Sequence, residues 1–137
     1  MKKLSIIPFI LMSLVAIPSW GETMDDLVYR DGIHYKKFSD VPFTGEVEGK
    51  YQGKIKNGKE EGPWIAYYDN GQLDYKGDYK NGKREGLWIW YHDNGILYGK
   101  GEFKNGKREG RWVFYGKNGD QHIYTSGVYK NDEKIGN

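Results

Sequence analysis

Three groups of side chains in this sequence invite a chemical reading. His34, His92 and His122 are the residue type that titrates near neutrality and ligates metals. No two of them stand at a metal-ligand spacing such as H-E-x-x-H. Glu61, Glu85 and Glu109 are candidate general acids or bases. They recur at equal intervals beside Lys and Arg, whereas an active site needs one asymmetric constellation, so the expectation for them is surface pairing. Asp69 and Asp93 precede Asn-Gly and raise the question of calcium. The alternating oxygen ligands of an EF-hand loop are missing, and turn formation explains them instead. Neither G-x-S-x-G nor a phosphate-cradling glycine loop is present. The chain has no cysteine, which excludes thiol nucleophiles, zinc-thiolate sites and disulfides. The expectation is a protein that is not an enzyme and uses neither cofactor nor metal. What remains are aromatic rings set at regular intervals: Tyr67, Tyr91 and Tyr115, joined by Tyr98 and Tyr124. Aromatic rows among charges suit contact with a peptide, a sugar or a partner protein.

The intervals come from a repeat. KNGKREG stands at residues 80–86 and again at 104–110, with KNGKEEG at 56–62. Three full copies follow one another at 56–79, 80–103 and 104–129, the third two residues longer than the 24 of the others, and a partial copy closes the chain at 130–137. Tyr51, Gly53 and Ile55 precede Tyr75, Gly77 and Tyr79 by 24 residues. Residues 22–55 are therefore an N-terminal segment ending in a degenerate first copy. A fixed period of this size marks a repeat array.

Each copy holds two Asn-Gly pairs, at 57, 70, 81, 94, 105 and 118, spaced alternately by 13 and 11 residues. Asn-Gly favours the tight type I′ hairpin turn, which needs positive φ at both central positions. Trp, Tyr, Ile and Val fill the stretches between and favour strands. The fold predicted is all-β: an elongated, single-layer antiparallel meander built from repeated β-hairpins. A two-residue loop at Asn70-Gly71 sets Trp64 opposite Gly77, Ala66 opposite Tyr75, Tyr68 opposite Leu73 and Tyr67 opposite Asp74. The same rule sets Trp88 against Gly101, Trp90 against Gly99, and Tyr91 against Tyr98. With a four-residue loop at 118–121, Trp112 meets Gly127, Phe114 meets Thr125 and Tyr115 meets Tyr124. Each repeated Trp is expected to lie flat over the bare backbone of its facing Gly. Gly62, Gly86 and Gly110 are expected to pair with Tyr79, Phe103 and Tyr129. The Trp residues, with Tyr68, Leu73, Tyr75, Trp90, Leu97, Phe103 and Phe114, form the expected structural face. The opposite, mixed face carries the tyrosine row, with Tyr67, Tyr91 and Tyr115 about 10 Å apart.

The first residues read differently. Lys2 and Lys3 open the chain, an apolar run follows to Pro18, and Ser19 and Gly21 stand three and one residues before a cut ahead of Glu22. This is the three-part pattern of a secretory signal peptide over residues 1–21, too short for a membrane span of about 20 apolar residues. The mature chain is then expected outside the cytoplasm. Its removal leaves nineteen of the twenty-one basic side chains against nineteen acidic ones. A net charge of zero removes the electrostatic case for nucleic-acid binding.

The combined pattern N-G-K-x-E-G-x-W-x-x-Y-x-x-N-G-x-L, close over residues 56–116, resembles the MORN-variant repeat of bacterial YwqK antitoxin-like proteins. Pro42-Phe43-Thr44-Gly45 with Gly49-Lys50-Tyr51 resembles that group's entry segment. The resemblance implies open arrays of β-hairpins used for protein contacts or scaffolding, with no shared catalytic residues, and an antitoxin-like role in relatives. The leading expectation is an exported interaction module with a protein partner. A glycan- or peptidoglycan-binding repeat using the aromatic row is the alternative. The turn edge bearing Lys56, Lys59, Lys80, Lys83, Arg84, Lys104, Lys107 and Arg108 is locally basic and offers a weaker contact for anionic lipid or cell-wall polymer, offset by its interleaved glutamates.

Overall fold

The computed structural model describes residues 21–137. The expected signal peptide lies outside them except for Gly21. After one 3-10 turn at Met24–Asp26, β1 (Leu27–Arg30) and β2 (Ile33–Lys36) form a hairpin of their own. β3 (Gly45–Val47), β4 (Tyr51–Lys56), β5 (Lys59–Tyr67), β6 (Leu73–Lys80), β7 (Lys83–Tyr91), β8 (Leu97–Lys104), β9 (Lys107–Phe114), β10 (Gly127–Lys130) and β11 (Glu133–Gly136) follow. These nine strands make a single antiparallel sheet in chain order. The fold is thus the all-β meander of hairpins that the turn spacing predicts.

The six Asn-Gly pairs make two kinds of turn. At Asn57-Gly58, Asn81-Gly82 and Asn105-Gly106 both residues take positive φ, from 49° to 82°, as type I′ requires. At Asn70-Gly71, Asn94-Gly95 and Asn118-Gly119 only the glycine does. There the Tyr68 amide donates to the Gln72 carbonyl and the Gly71 amide to the Tyr68 carbonyl, which closes a three-residue loop with glycine at its left-handed position. The Asn70 side chain accepts the Gln72 amide, and so stabilises the turn without entering the left-handed region.

That difference corrects the pairing near the second turn. Ala66 still pairs with Tyr75, but Tyr67 pairs with Leu73, leaving Asp74 as a bulge. In the next copy Trp90 pairs with Gly99 and Tyr91 with Leu97, leaving Tyr98 as the bulge. Leu73 and Leu97 therefore belong to the mixed face, not the structural one. Tyr98 moves the other way and packs against Phe114, with ring centroids 5.8 Å apart. In the third copy the three-residue loop is kept, with Tyr115 bridged to Gln121. The two extra residues fall in a turn across 122–126, not in a four-residue loop at 118–121. The Phe114 amide consequently donates to the Ser126 hydroxyl, and Phe114 does not face Thr125.

Away from the bulges the expected register holds. Trp64, Trp88 and Trp112 pair with Gly77, Gly101 and Gly127, and Gly62, Gly86 and Gly110 pair with Tyr79, Phe103 and Tyr129. The rings do not cover those facing glycines, however. They reach back one strand, over Gly53, Gly77 and Gly101, where an added Cβ would come within 2.4, 2.2 and 2.2 Å of the indole. Each indole N–H then donates to the next carbonyl, of Lys54, Asp78 or Glu102, at 3.2, 2.9 and 3.1 Å. A second bulge permits this reach. Lys76 pairs with Ile89 but Asp78 with Glu85, so extra residues crowd opposite Gly77. Gly86 takes φ 68° there, which a side chain would strain.

The structural face is a continuous run of rings. Tyr75, Trp88, Trp90, Trp112 and Phe114 lie 5.5 to 5.7 Å from one to the next, tilted by 20° to 33°. Tyr79 and Phe103 meet Trp88 and Trp112 edge-on at 4.9 and 5.0 Å. Both geometries suit the quadrupole of the ring. Trp88 is wholly buried. At the other end Leu27, Phe43, Val47, Ile55 and Trp64 form a second cluster, and Tyr79 packs against both. The β1–β2 hairpin closes that end. The His34 amide donates to Gly58 and the Gly58 amide to Phe43, at 2.8 and 2.7 Å. His34 Nε2 lies 2.9 Å from Glu60 Oε1.

Candidate functional site

A surface that binds must first be held flat, and both margins of this sheet are stitched from repeat to repeat. On the type I′ side a glutamate of one copy accepts the Asn amide of the next turn. Glu61 takes Asn81 at 2.8 Å, Glu85 takes Asn105 at 2.9 Å, and Glu109 takes Asn131 at 3.2 Å. Thr44 Oγ1 does the same for Asn57 at 2.8 Å. The adjacent turn amides, Gly82 and Gly106, donate to the carbonyls of Glu60 and Arg84. On the opposite margin Asn70 Nδ2 donates to Asp93, and Asn94 Nδ2 to Lys117. Tyr68 donates its hydroxyl to the Tyr91 carbonyl, and His92 Nε2 lies 2.8 Å from that of Tyr115.

The recurring glutamates are therefore not mainly ion-paired: they clamp turns. Nothing local in the sequence shows this, since donor and acceptor stand 20 residues apart. The one available signal is that Glu keeps its place in every heptad.

The basic turn edge is partly spent on the aromatic face. The Arg84 guanidinium lies 4.9 Å from the Trp88 ring centroid. That of Arg108 lies 4.3 Å from Tyr129 and pairs with Asp132. On that face burial raises the hydroxyl of Tyr75 to about 12. Burial also raises Tyr79, against the opposing pull of Arg84. These hydroxyls stay protonated at neutral pH and are not candidate bases.

The mixed face is organised in rows that cross the strands. One row reads Ile65, Lys76, Ile89, Lys100 and Val113, each paired with the next. Two residues along the strands, Pro63 pairs with Asp78 and Leu87 with Glu102 within each hairpin, but Asp78 pairs onward with Glu85 and Glu102 with Glu109, so these positions do not continue as one row. On the other side lie Tyr67, Tyr91 and Tyr115, all half-buried. Two shallow grooves of about 600 and 660 Å³ run along this face and share Leu87 and Ile89. Leu87 is 52% exposed. Lys76, Lys100, Asp78 and Glu102 have no ion-pair partner among the described residues.

Of the five tyrosines singled out in the sequence, the structure brings three together on this face. Tyr67, Tyr91 and Tyr115 hold equivalent places on β5, β7 and just past β9. Tyr98 sits on the aromatic face, edge-on to His92 at 5.1 Å. Tyr124 is 87% exposed in the turn before β10, apart from the row. Tyr67 and Tyr91 do have apolar cross-strand neighbours, Leu73 and Leu97. Ile65, Lys76, Asp78, Ile89, Lys100, Glu102 and Val113 are expected on this face from strand alternation; the groove residues that sequence reasoning missed are Pro63, Leu87 and Arg111. Their alternation is legible along each strand, but their alignment across strands depends on the bulges.

Residues 60–81 and 84–105 each match the family model described as MORN repeat variant. None of the curated proteins compared with the chain matches it.

Proposed function

We propose that this protein is a non-enzymatic interaction module whose mixed face takes up a protein partner. MORN-variant repeats and a sheet of repeated hairpins support a repeat-based interaction module. The observation that carries the assignment to one face is the asymmetry of the sheet. One face is filled by its own aromatic rings. The other keeps aliphatic, tyrosine and unpaired charged rows open to solvent. A row of partly exposed tyrosine rings is the kind of anchor that dominates interfaces. Changing Tyr67, Tyr91 and Tyr115 together to Ser should leave a folded β-protein by circular dichroism and abolish partner capture in pulldowns from envelope extract. Undiminished capture by the folded variant would move the contact elsewhere.

The setting proposed is the cell envelope or its exterior, reached after cleavage ahead of Glu22. Glu22 is bridged to Val47 and its carbonyl accepts the Glu48 amide, so the proposed mature N-terminus is already part of the fold. Intact-mass measurement of the native protein decides it, and retention of residues 1–21 would refute it. Within that setting, neutralisation of a toxin acting in the envelope, as the resemblance to YwqK antitoxin-like proteins suggests, is a special case of protein binding. The half-exposed tyrosines also suit a glycan chain. Co-sedimentation with purified peptidoglycan, lost in the triple Ser variant, would favour that second reading.

A further inference from the structure

We propose that Arg84, at the turn margin of the aromatic face, seats the carboxylate of an acidic peptide segment, and that the third copy carries a built-in likeness of that ligand. The site lies on the face opposite the tyrosine row and stands independently of the reading given for that row. It follows from comparing one position in the three copies. Glu60, Arg84 and Arg108 are equivalent, because the carbonyl of each accepts an amide of the next type I′ turn, that of Gly82, Gly106 or Asp132. In the first copy the side chain is already engaged, with Glu60 Oε1 2.9 Å from His34 Nε2. In the third copy Asp132 Oδ1 accepts the Arg108 amide at 2.7 Å and lies 3.3 Å from Arg108 Nε. Asp132 stands where the other turns of this kind have glycine, and it holds a left-handed φ of 70°, which few side chains adopt.

The middle copy has the arginine without the carboxylate. Gly106 takes the place of Asp132, at φ 82°. No carboxylate pairs with Arg84 among the described residues. A Cβ built on Gly106 would meet nothing nearer than the Lys83 side chain, at 3.6 Å, so the room that the Asp132 side chain takes in the third copy is open here, beside a second cation.

The Arg84 guanidinium is laid on aromatic carbon. It lies 4.9, 5.4 and 5.4 Å from the ring centroids of Trp88, Trp90 and Phe103. A guanidinium so placed has shed water from that side, and its remaining N–H groups match the geometry of a carboxylate. A groove of about 440 Å³ begins at Arg84 and Gly106 and is floored by Trp90, Phe103 and Phe114. Its only carboxylate, Asp132, is already engaged by Arg108, so the groove has no free acid to hold the hydroxyls of a sugar. The aromatic floor takes an apolar side chain next to the acid. The occupant that fits is a peptide with an aspartate beside an apolar residue, as an acidic stretch of a partner protein presents it.

The probe is acetyl-Asp-Phe-amide, with acetyl-Asn-Phe-amide as its uncharged control. Binding is followed by the proton–nitrogen resonance of Arg84 Nε–H in the protein purified as the producing cell makes it. The aspartyl peptide should shift that resonance saturably, one peptide per chain, with a dissociation constant on the order of millimolar. The asparaginyl peptide should bind at least about tenfold more weakly. Gly106→Asp should supply the carboxylate from within, as Asp132 does, and abolish peptide binding. Gly106→Asn takes the same left-handed backbone without the charge and should keep most of it. Asp132→Gly should open the second arginine and raise the stoichiometry from one peptide to two. Equal affinity for the two peptides overturns the inference, as does full binding by Gly106→Asp or an Arg84 resonance unmoved at about 10 mM peptide. A stoichiometry of one in Asp132→Gly would deny the likeness between the copies. Glucuronate binding more tightly than the aspartyl peptide would overturn the assignment to a peptide and give the site to an acidic sugar.

Discussion

Adding one methyl group at Gly77 tests how the tryptophans are seated. The site is inside β6, where alanine is ordinarily tolerated and even favoured over glycine by about 0.5–1 kcal/mol. Here the new Cβ would stand 2.2, 2.4 and 2.6 Å from Cδ2, Cε2 and Cγ of Trp88. Carbon atoms settle at about 3.5–4.0 Å, so the ring must retreat by more than about 1 Å. Trp88 is wholly buried between Tyr75, Tyr79 and Trp90, and has little room to do so. Overpacking of this kind costs about 1–3 kcal/mol. Retreat also breaks the 2.9 Å bond from Nε1 to the Asp78 carbonyl, and leaving a buried donor unpaired costs about 1–3 kcal/mol. Gly77→Ala should therefore destabilise by about 2–6 kcal/mol. Trp88→Ala alone should cost about 3–5 kcal/mol. In the Trp88→Ala background the same methyl meets open space, so Gly77→Ala should cost less than about 1 kcal/mol there. Urea melts of the four proteins, followed by far-UV circular dichroism, complete the cycle. If Gly77→Ala costs the same with and without the indole, the Trp88 ring does not lie over Gly77 and the account of the bulge fails.

The margins and the cap give further tests. Glu85→Ala orphans the Asn105 amide and should cost about 1 kcal/mol, while Lys83→Ala, two residues earlier, should cost less than about 0.5 kcal/mol; equal losses in urea melts would deny the glutamate its clamping role. Burial opposes ionisation of Glu60, but the hydrogen bond and charge of His34 outweigh it and hold the carboxyl below its usual value of 4.5. A depressed carboxyl stabilises the fold above its unfolded pKa, and that contribution is lost as pH falls through the lowered one. Wild type should thus lose more stability than Glu60→Gln between neutral pH and the acid side of 4.5, and parallel losses would show that the His34–Glu60 contact contributes nothing. Tyr75, raised to about 12 from 10.0 by burial, contributes stability that is fully present below 10.0 and lost as pH climbs toward 12; the Tyr75→Phe variant should resist alkaline unfolding in that window, and an unchanged alkaline midpoint would count against the burial.

Much of this fold can be read from the chain because its local signals agree. Asn-Gly pairs, β-branched and aromatic runs and a fixed period all indicate hairpins, and the Trp–Gly register follows by counting. The misreadings have one physical origin. Asn-Gly closes either a type I′ turn or a three-residue loop with only the glycine left-handed, and the dipeptide does not say which. The difference of one residue is absorbed by a bulge at Asp74 or Tyr98, and that bulge decides which face Leu73, Leu97 and Tyr98 occupy. The backward reach of Trp64, Trp88 and Trp112 is hidden for a related reason, because it depends on the left-handed Gly62, Gly86 and Gly110 that crowd the strand. The tyrosine row survives these shifts since Tyr67, Tyr91 and Tyr115 lie on the unbulged partner. The charged rows of the mixed face become meaningful only once the strands are aligned.

The clamps between copies also bear on how such a chain can change length. Glu61 holds Asn81 and Trp88 covers Gly77, so each unit is bonded to its successor through groups that recur every 24 residues. Cutting out residues 80–103 would bring Asn105 to Glu61 and Trp112 over Gly77, with every type of bond restored and Phe114 beside Tyr75 in place of Trp90. Cutting out half as many would set a three-residue loop where a type I′ turn must be clamped, and the amide would find no acceptor. The sheet can therefore lengthen or shorten only in strides of two strands, about 10 Å each. It is a ruler with fixed graduations, and whatever it spans is measured in whole repeats.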